Sequence, residues 1–447
     1  MPEADVGATD KKNALLRKRA AAAACTLLGA VPVVRAAQTA ETAAEPEPWS
    51  TDTSFLYYSE SQRMTIMEPQ FDVQRNFSDD RSLNILVTVD TISGSTPIGT
   101  LPLTPDTAPH TITSASGRVT NPSIGLIPTT TFNNTRYAVA PTWQQPLGSA
   151  YTGILGGEAS KEDDFLSLGG NASITRDFNQ KDTTLSLGVS PEYDIGTPNG
   201  GVPVALATEN TPSSIQGTRD TKNLVSALAG ITQVINRQTL MQWNYSYTHE
   251  DGYLNDPYKL LSIVDPQTGD PLSAVYESRP GTRNEHSFYW LTRYALLDQD
   301  VFSLSFRYYT DDWGIRSQTL DFTYRWQSND HRYWEPHVRY YHQSAADFYD
   351  IGLISGQPLP QYASSDLRLA DFDGITFGLR FGYTFRDASQ LVIRAEYYTQ
   401  TGESYPNSAV GIQRSFDLFP TLYATILQIE YQFDPGKLFK RRKSPFQ

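Results

Sequence analysis

The sequence predicts an all-β chain that forms a single antiparallel transmembrane β-barrel of about sixteen strands, with short periplasmic turns and long outer loops. Three observations predict it. Apolar residues recur with period two along almost the whole chain after residue 49, and almost nothing has helical period. Every long connection between these segments falls at one end of the strand array, and the other end has only tight turns. Aromatics make up 12% of the residues and Tyr alone accounts for 26, an abundance that fits aromatic girdles at two membrane interfaces.

The chain opens with a basic segment, KKNALLRKR (Lys11 to Arg19), followed by an apolar stretch from Ala20 to Val34 that is too short to span a membrane. Val34, Arg35 and Ala36 offer a small-residue cleavage site, so residues 1–36 read as a signal peptide and 37–48 as a periplasmic linker. An amphipathic helix of a soluble protein is the weaker reading, because the composition switches abruptly from charge to Ala and Val. The only cysteine, Cys25, lies inside this signal, and the alanines before it do not suit a lipoprotein site. A mature chain without cysteine has no disulfides, thiolate metal sites or cysteine nucleophiles. The signal carries six basic and three acidic residues, so its removal takes the net charge from −13 to −16.

Mean hydropathy is −0.42 and no apolar run reaches 18 residues after the first 40, which excludes a helical membrane protein. A barrel stays possible, since strands that alternate between lipid and lumen average out polar. The acidity argues against nucleic acid as a partner, and no phosphate-cradling glycine loop stands between a strand and a helix.

The predicted strands are 50–61, 63–77, 82–94, 133–147, 151–160, 164–178, 183–196, 221–236, 239–252, 284–296, 301–312, 316–328, 332–346, 372–386, 389–402 and 420–433. SDDR, LGSA, NQKD, Arg237-Gln238, Leu297 to Asp300, Asp330-His331 and the turn around Ala388 are tight. The long connections are 95–132, 197–220, 253–283, 347–371 and 403–419. A soluble sandwich has no reason to sort its loops this way, whereas an outer-membrane barrel does. An even strand number then leaves both termini on the periplasmic side.

Parity within strands agrees. Phe302, Leu304, Phe306 and Tyr308 oppose Ser303, Ser305, Arg307 and Asp311, and Ile375, Phe377, Leu379 and Phe381 oppose Gly374, Thr376, Gly378 and Arg380. In TLYATILQIEYQF, Leu427, Ile429, Tyr431 and Phe433 are expected to face lipid, and this last strand is expected to pair with the first near STDTSFLYYSES. The tail 434–447 is basic and reads as periplasmic.

The same parity assigns to the lumen Arg307, Asp311, Asp321, Arg325, Glu335, His337, Arg339, Arg380, Arg394, Glu396, Gln428 and Glu430. Both signs fall on neighbouring strands, which predicts cross-strand ion pairs rather than a strip of one charge. Such a set suits either a polar conduit or a neutralised, closed lumen. On the outer side Asp251, Asn255, Asp256, Glu277, Asp311 and Asp312 could hold a cation, but no Ca²⁺-loop spacing supports this, and turn formation explains them better. His249, His286, His331, His337 and His342 could act as bases, yet no glycine elbow flanks a serine, so no catalytic residue is assigned. No metal or other cofactor is implied.

DTISGSTP (Asp90 to Pro97), GYLNDPYKLLS, YESRP, RYYTDDWGI, EPHVRYYHQSAADFY (Glu335 to Tyr349) and DLFP (Asp417 to Pro420) together resemble the proteobacterial family of unknown function numbered 3570. The resemblance runs from about Trp49 to Phe433 and implies a barrel-like outer-membrane protein without an assigned activity. The tail beyond Phe433 departs from barrels that end on an aromatic residue. The function expected is therefore a passive channel for small polar solutes, and the alternative is a non-conducting barrel that anchors or assembles periplasmic or surface partners. An outer-membrane hydrolase comes last. The expected partners are outer-membrane lipid, small solutes and, during biogenesis, the barrel-assembly machinery.

Overall fold

The computed structural model describes residues 49–61, 63–77, 79–101, 128–296 and 299–435. The expected signal peptide, the linker and the tail from residue 436 lie outside the described residues.

The strands are β1 (Trp49–Glu60), β2 (Met64–Asn76), β3 (Ser82–Pro97), β4 (Thr129–Leu147), β5 (Tyr151–Lys161), β6 (Phe165–Phe178), β7 (Thr183–Gly196), β8 (Val202–Pro203), β9 (Ile215–Gly217), β10 (Asp220–Val234) and β11 (Thr239–Gly252). They continue with β12 (Leu260–Val264), β13 (Pro271–Tyr276), β14 (Thr282–Ala295), β15 (Val301–Asp311), β16 (Arg316–Asn329), β17 (Arg332–Gln343), β18 (Leu353–Ile354), β19 (Phe372–Thr384), β20 (Gln390–Gly402) and β21 (Leu422–Phe433). Sixteen of them form a closed antiparallel barrel, in ring order β1 to β7, β10, β11, β14 to β17 and β19 to β21. Closure is made by β21 on β1, from Thr51 opposite Phe433 to Glu60 opposite Ala424. Every ladder edge is thereby paired, as hydrocarbon requires of any spanning backbone. No helix among the described residues is long and apolar enough to cross a membrane.

The outward face is apolar on every strand. All sixteen carry an exposed large apolar residue, from Phe55 on β1 through Leu155, Leu187, Phe288 and Phe377 to Leu427 on β21. Such a continuous belt is incompatible with water and fits lipid. The inward face is polar and is often made small so that neighbours can cross it. On β19 an added Cβ at Gly378 would come 2.7 Å from Glu396 Cγ, and one at Gly382 would come 1.9 Å from the Tyr333 ring. Glycines on this face are thus cradles for large inner side chains, since curvature crowds the inside of a closed sheet.

The structure corrects one expectation. The long connections, read as plain loops, hold five further strands. β12 pairs with β13 and, in parallel, with β18, while β8 pairs with β9. The LLSIV and PLSAVY segments on either side of DPQTGD close as a hairpin, with Asp265 Oδ1 accepting from the Gln267 and Thr268 amides at 2.8 Å each.

Candidate functional site: a charged interior beneath a packed outer cap

A ring of sixteen strands spaced about 4.8 Å apart and tilted about 40° has a backbone diameter of roughly 32 Å. The links 98–128, 253–281 and 403–421 leave its outer rim after the third, ninth and fifteenth ring strands. Neighbouring pairs of these points are separated by roughly 20–30 Å across the opening, and the three together surround its centre. The links nevertheless meet. The Leu260 amide donates to Ile98 O at 2.8 Å, the Leu101 amide to Ser262 Oγ at 3.0 Å, and the Ile412 amide to Thr268 O at 2.9 Å. Only segments that fold inward over the mouth can make these contacts. The result is a cap.

The cap has its own apolar interior. Leu101, Val264, Ala409 and Leu418 pack together from three links, with Ile351 and Ile354 of the 344–371 link against them. A second cluster joins Leu261 and Val275 to Leu353 and Ala363, with Leu206 from link 197–219 packed on it. Backbone pairing adds to this: Ser278 and Ala363 exchange hydrogen bonds of 2.9 and 2.8 Å.

Next to the second cluster lies an ionic network of three cations and three anions with a buried centre. Asp366 and Glu277 are each 2% exposed. Arg279 Nη2 donates to both, at 2.9 Å in each case. Arg368 Nε donates to Asp366 at 2.8 Å and its Nη2 to Asp256 at 2.6 Å, while Lys259 Nζ lies 4.0 Å from Asp366. Glu277 also accepts from the Asp256 amide and, at 2.6 Å, from Ser364. Burial pushes the Asp366 carboxyl up, but Lys259, Arg368 and Arg279 outweigh it and hold the group well below the usual carboxylate range. For Glu277 burial prevails over Arg279, and its carboxyl is pushed up. The network ties link 253–281 to link 344–371, and GYLNDPYKLLS and YESRP supply four of its six members.

Along the strands, most of the residues that the sequence proposes for the lumen alternate with the exposed apolar ones. His337 Nδ1 lies 3.0 Å from Glu396 and its Nε2 3.0 Å from Asp321, and Arg339 Nε donates to Asp321 at 2.9 Å. His337 reaches Glu396 across Gly378, which sits between them in register. Arg380 lies 4.0 Å from Glu335 and 3.4 Å from Glu430, and Arg394 lies 3.7 Å from Glu396. Asp321 with His337 and Arg339, and Arg380 with Glu335, pair across neighbouring strands as expected. His337 with Glu396 and Arg380 with Glu430 instead reach over an intervening strand, and Arg394 with Glu396 lies along one strand. Three residues behave differently. Arg307 and Arg325 stack over the Tyr289 and Tyr333 rings, at 5.7 and 3.6 Å, and Gln428 stands opposite Arg394. Asp311 belongs to the outer rim, where Arg283 Nη2 donates to it at 2.6 Å.

The outer acidic residues do not converge on a cation site. Asp256 and Glu277 join the cap network, Asp311 takes Arg283, Asp251 accepts from Asn223, and Asp312 accepts from Asn284. No group of ligating side chains that could hold a metal ion occurs among the described residues. Sequence reading missed Arg136 with Asp90 (2.5 Å) and Lys222 with Asp194 (3.4 Å), both on inner parity. Their odd spacing from exposed Val139, Val87, Val225 and Tyr193, which puts them on the opposite face of each strand, was the available signal.

A closed sixteen-strand barrel with a lipid-facing belt, a polar interior and all its long links at one rim is an outer-membrane β-barrel. The chain belongs to the family described as "Protein of unknown function (DUF3570)", which it matches over residues 17–433. No curated protein matches it. Among solved structures it is similar to the ferric enterobactin receptor of Pseudomonas aeruginosa, at a TM-score of 0.43 and 9% identity over 86% of this chain and 60% of that one. It is also similar to CdiB from Acinetobacter baumannii (TM-score 0.45, 8% identity, 87% of this chain and 60% of that one). A bacterial polysaccharide outer membrane secretin is similar at 0.42 and 7% identity, over 87% of this chain and 99% of that one. The chain spans about 60% of the length of the receptor and of CdiB.

Proposed function

We propose that the protein is a passive conduit for small polar solutes across the outer membrane, with the packed cap governing access from outside. One observation carries this reading. Charged side chains on the inner parity stay wet inside a closed ring: Arg339 is 52% exposed and Arg394 37%. In a lumen packed solid they would be buried. Rings of this size also leave an aqueous bore when nothing fills them. The twelve residues assigned to the lumen carry both signs, so selectivity by charge is weak, and a solute exchanges part of its hydration for them.

The cap favours a second reading, a non-conducting barrel that presents its outer links to partners. A hydrolase finds no support at His337, because carboxylates engage both ring nitrogens and leave neither free to take a proton from a nucleophile.

Planar-bilayer recording of the refolded barrel distinguishes the two. The conduit gives brief openings, and Arg339→Glu moves its ion preference toward cations. If neither the native chain nor a variant with a loosened cap forms channels at any voltage, the conduit reading is overturned and the anchoring one stands.

A further inference from the structure

The wall formed by β4 to β7 carries a groove of 660 Å³ on its membrane side. Its sides are Trp143, Leu147, Leu155, Ile174 and Leu187, and Ala172 lies in its floor. Leu155 and Leu187 are 61% and 59% exposed, so the groove opens toward the acyl region rather than the lumen. It is hollow because Gly153 also contributes to its lining, where a side chain would meet Leu147 Cδ1 at 3.0 Å.

Two residues along β6 from Ile174, toward the periplasm, Arg176 stands on the same outward parity. Its guanidinium is held over two rings, 5.0 Å from Tyr151 and 4.5 Å from Phe178. Arg81, which lies over Trp143 on the neighbouring wall, has Asp79 at 2.6 Å. Arg176 has no carboxylate partner among the described residues. Two rings fix the guanidinium at the water boundary, so it loses little further freedom on meeting an oxyanion. Its charge calls for an anion, and the groove beside it calls for hydrocarbon.

We propose that this groove and Arg176 form a site for one anionic phospholipid of the periplasmic leaflet. An acyl chain lies between Leu155 and Leu187, and the phosphate rests on Arg176. The site is separate from the conduit: Arg176 and the groove-lining apolar side chains are on the opposite parity from the lumen set.

Native mass spectrometry of the detergent-refolded full-length barrel, titrated with dimyristoylphosphatidylglycerol, tests it. The native chain retains one lipid per barrel. Arg176→Gln weakens retention about fivefold, the loss expected for one surface cation on an anionic headgroup. Ala172→Phe fills the groove and abolishes retention, while heat-modifiable migration in gels confirms that this variant is folded. Equal retention by all three proteins overturns the proposal. So does a dimer that Ala172→Phe dissociates without any bound lipid, which would assign the groove to a second copy of the chain.

Discussion

Replacing Asp366 with alanine should open the cap while leaving the barrel intact. In the native cap three cations face three anions, and Asp366 alone touches Arg279 at 2.9 Å and Arg368 at 2.8 Å, with Lys259 at 4.0 Å. The substitution leaves three cations against Asp256 and Glu277 in a region where Arg279 is only 10% exposed. Breaking a buried pair in this way costs about 3–5 kcal/mol, because the orphaned charge keeps its desolvation penalty. Arg368 contributes the smaller share, since at 67% exposure water screens it. The opening equilibrium of the cap should therefore rise by roughly two to three orders of magnitude. Hydrogen exchange reads this at Leu260, Ser278 and Ala363, whose amides bond across links, and the same factor should lengthen channel openings. The β1–β21 ladder is the internal control. Asp366→Asn, which keeps an acceptor but no charge, should fall between. A change in exchange of less than about tenfold at those three amides, with the ladder equally protected, would refute the claim that this network holds the cap shut. The linkage has a definite sign. Because the folded Asp366 pKa is depressed, its contribution is present above the ordinary carboxylate value and is lost only as pH falls through the lower folded one.

Two further outcomes follow from other sites. Gly378→Leu puts a side chain where Glu396 crosses β19, with the first added atom 2.7 Å from Glu396 Cγ, and so parts His337 from Glu396; overpacking of this kind costs about 1–3 kcal/mol, measured as a lower midpoint in urea unfolding from micelles, and an unchanged midpoint would show that Glu396 has slack. Glu209, whose amide bonds to Ala274 where link 197–219 meets β13, is pushed up to about 7 by burial, with Asn210 acting the other way. A raised folded pKa means that its contribution is complete below the unfolded value and is lost as pH rises through about 7. Exchange at residues 206–209 should therefore quicken between pH 6 and 8 beyond the intrinsic base catalysis, and Glu209→Gln should remove the excess.

Much of the barrel was legible in the sequence because a strand wall exposed to lipid writes itself with period two. Leu427 and Ile429, on the outer face of β21, are exposed as their parity predicts, and β21 closes on β1 as read. The pairs of Asp321 with His337 and Arg339, and of Arg380 with Glu335, join neighbouring strands and could be anticipated, whereas the longer reaches of His337 to Glu396 and of Arg380 to Glu430 could not. The cap could not be anticipated. Leu101, Leu261, Val264 and Ala409 become buried only when links from different parts of the rim meet, and no local period announces contacts made across a roughly 30 Å opening. Asp366 and Arg279 lie 87 residues apart in sequence. Alternation along each strand determined the wall and its faces, and the sorting of long from short connections determined the side of the membrane on which the long links lie. Ring closure decided which of those links are neighbours in space, and thereby placed a packed, charge-locked cap over an interior that the sequence could describe only as polar.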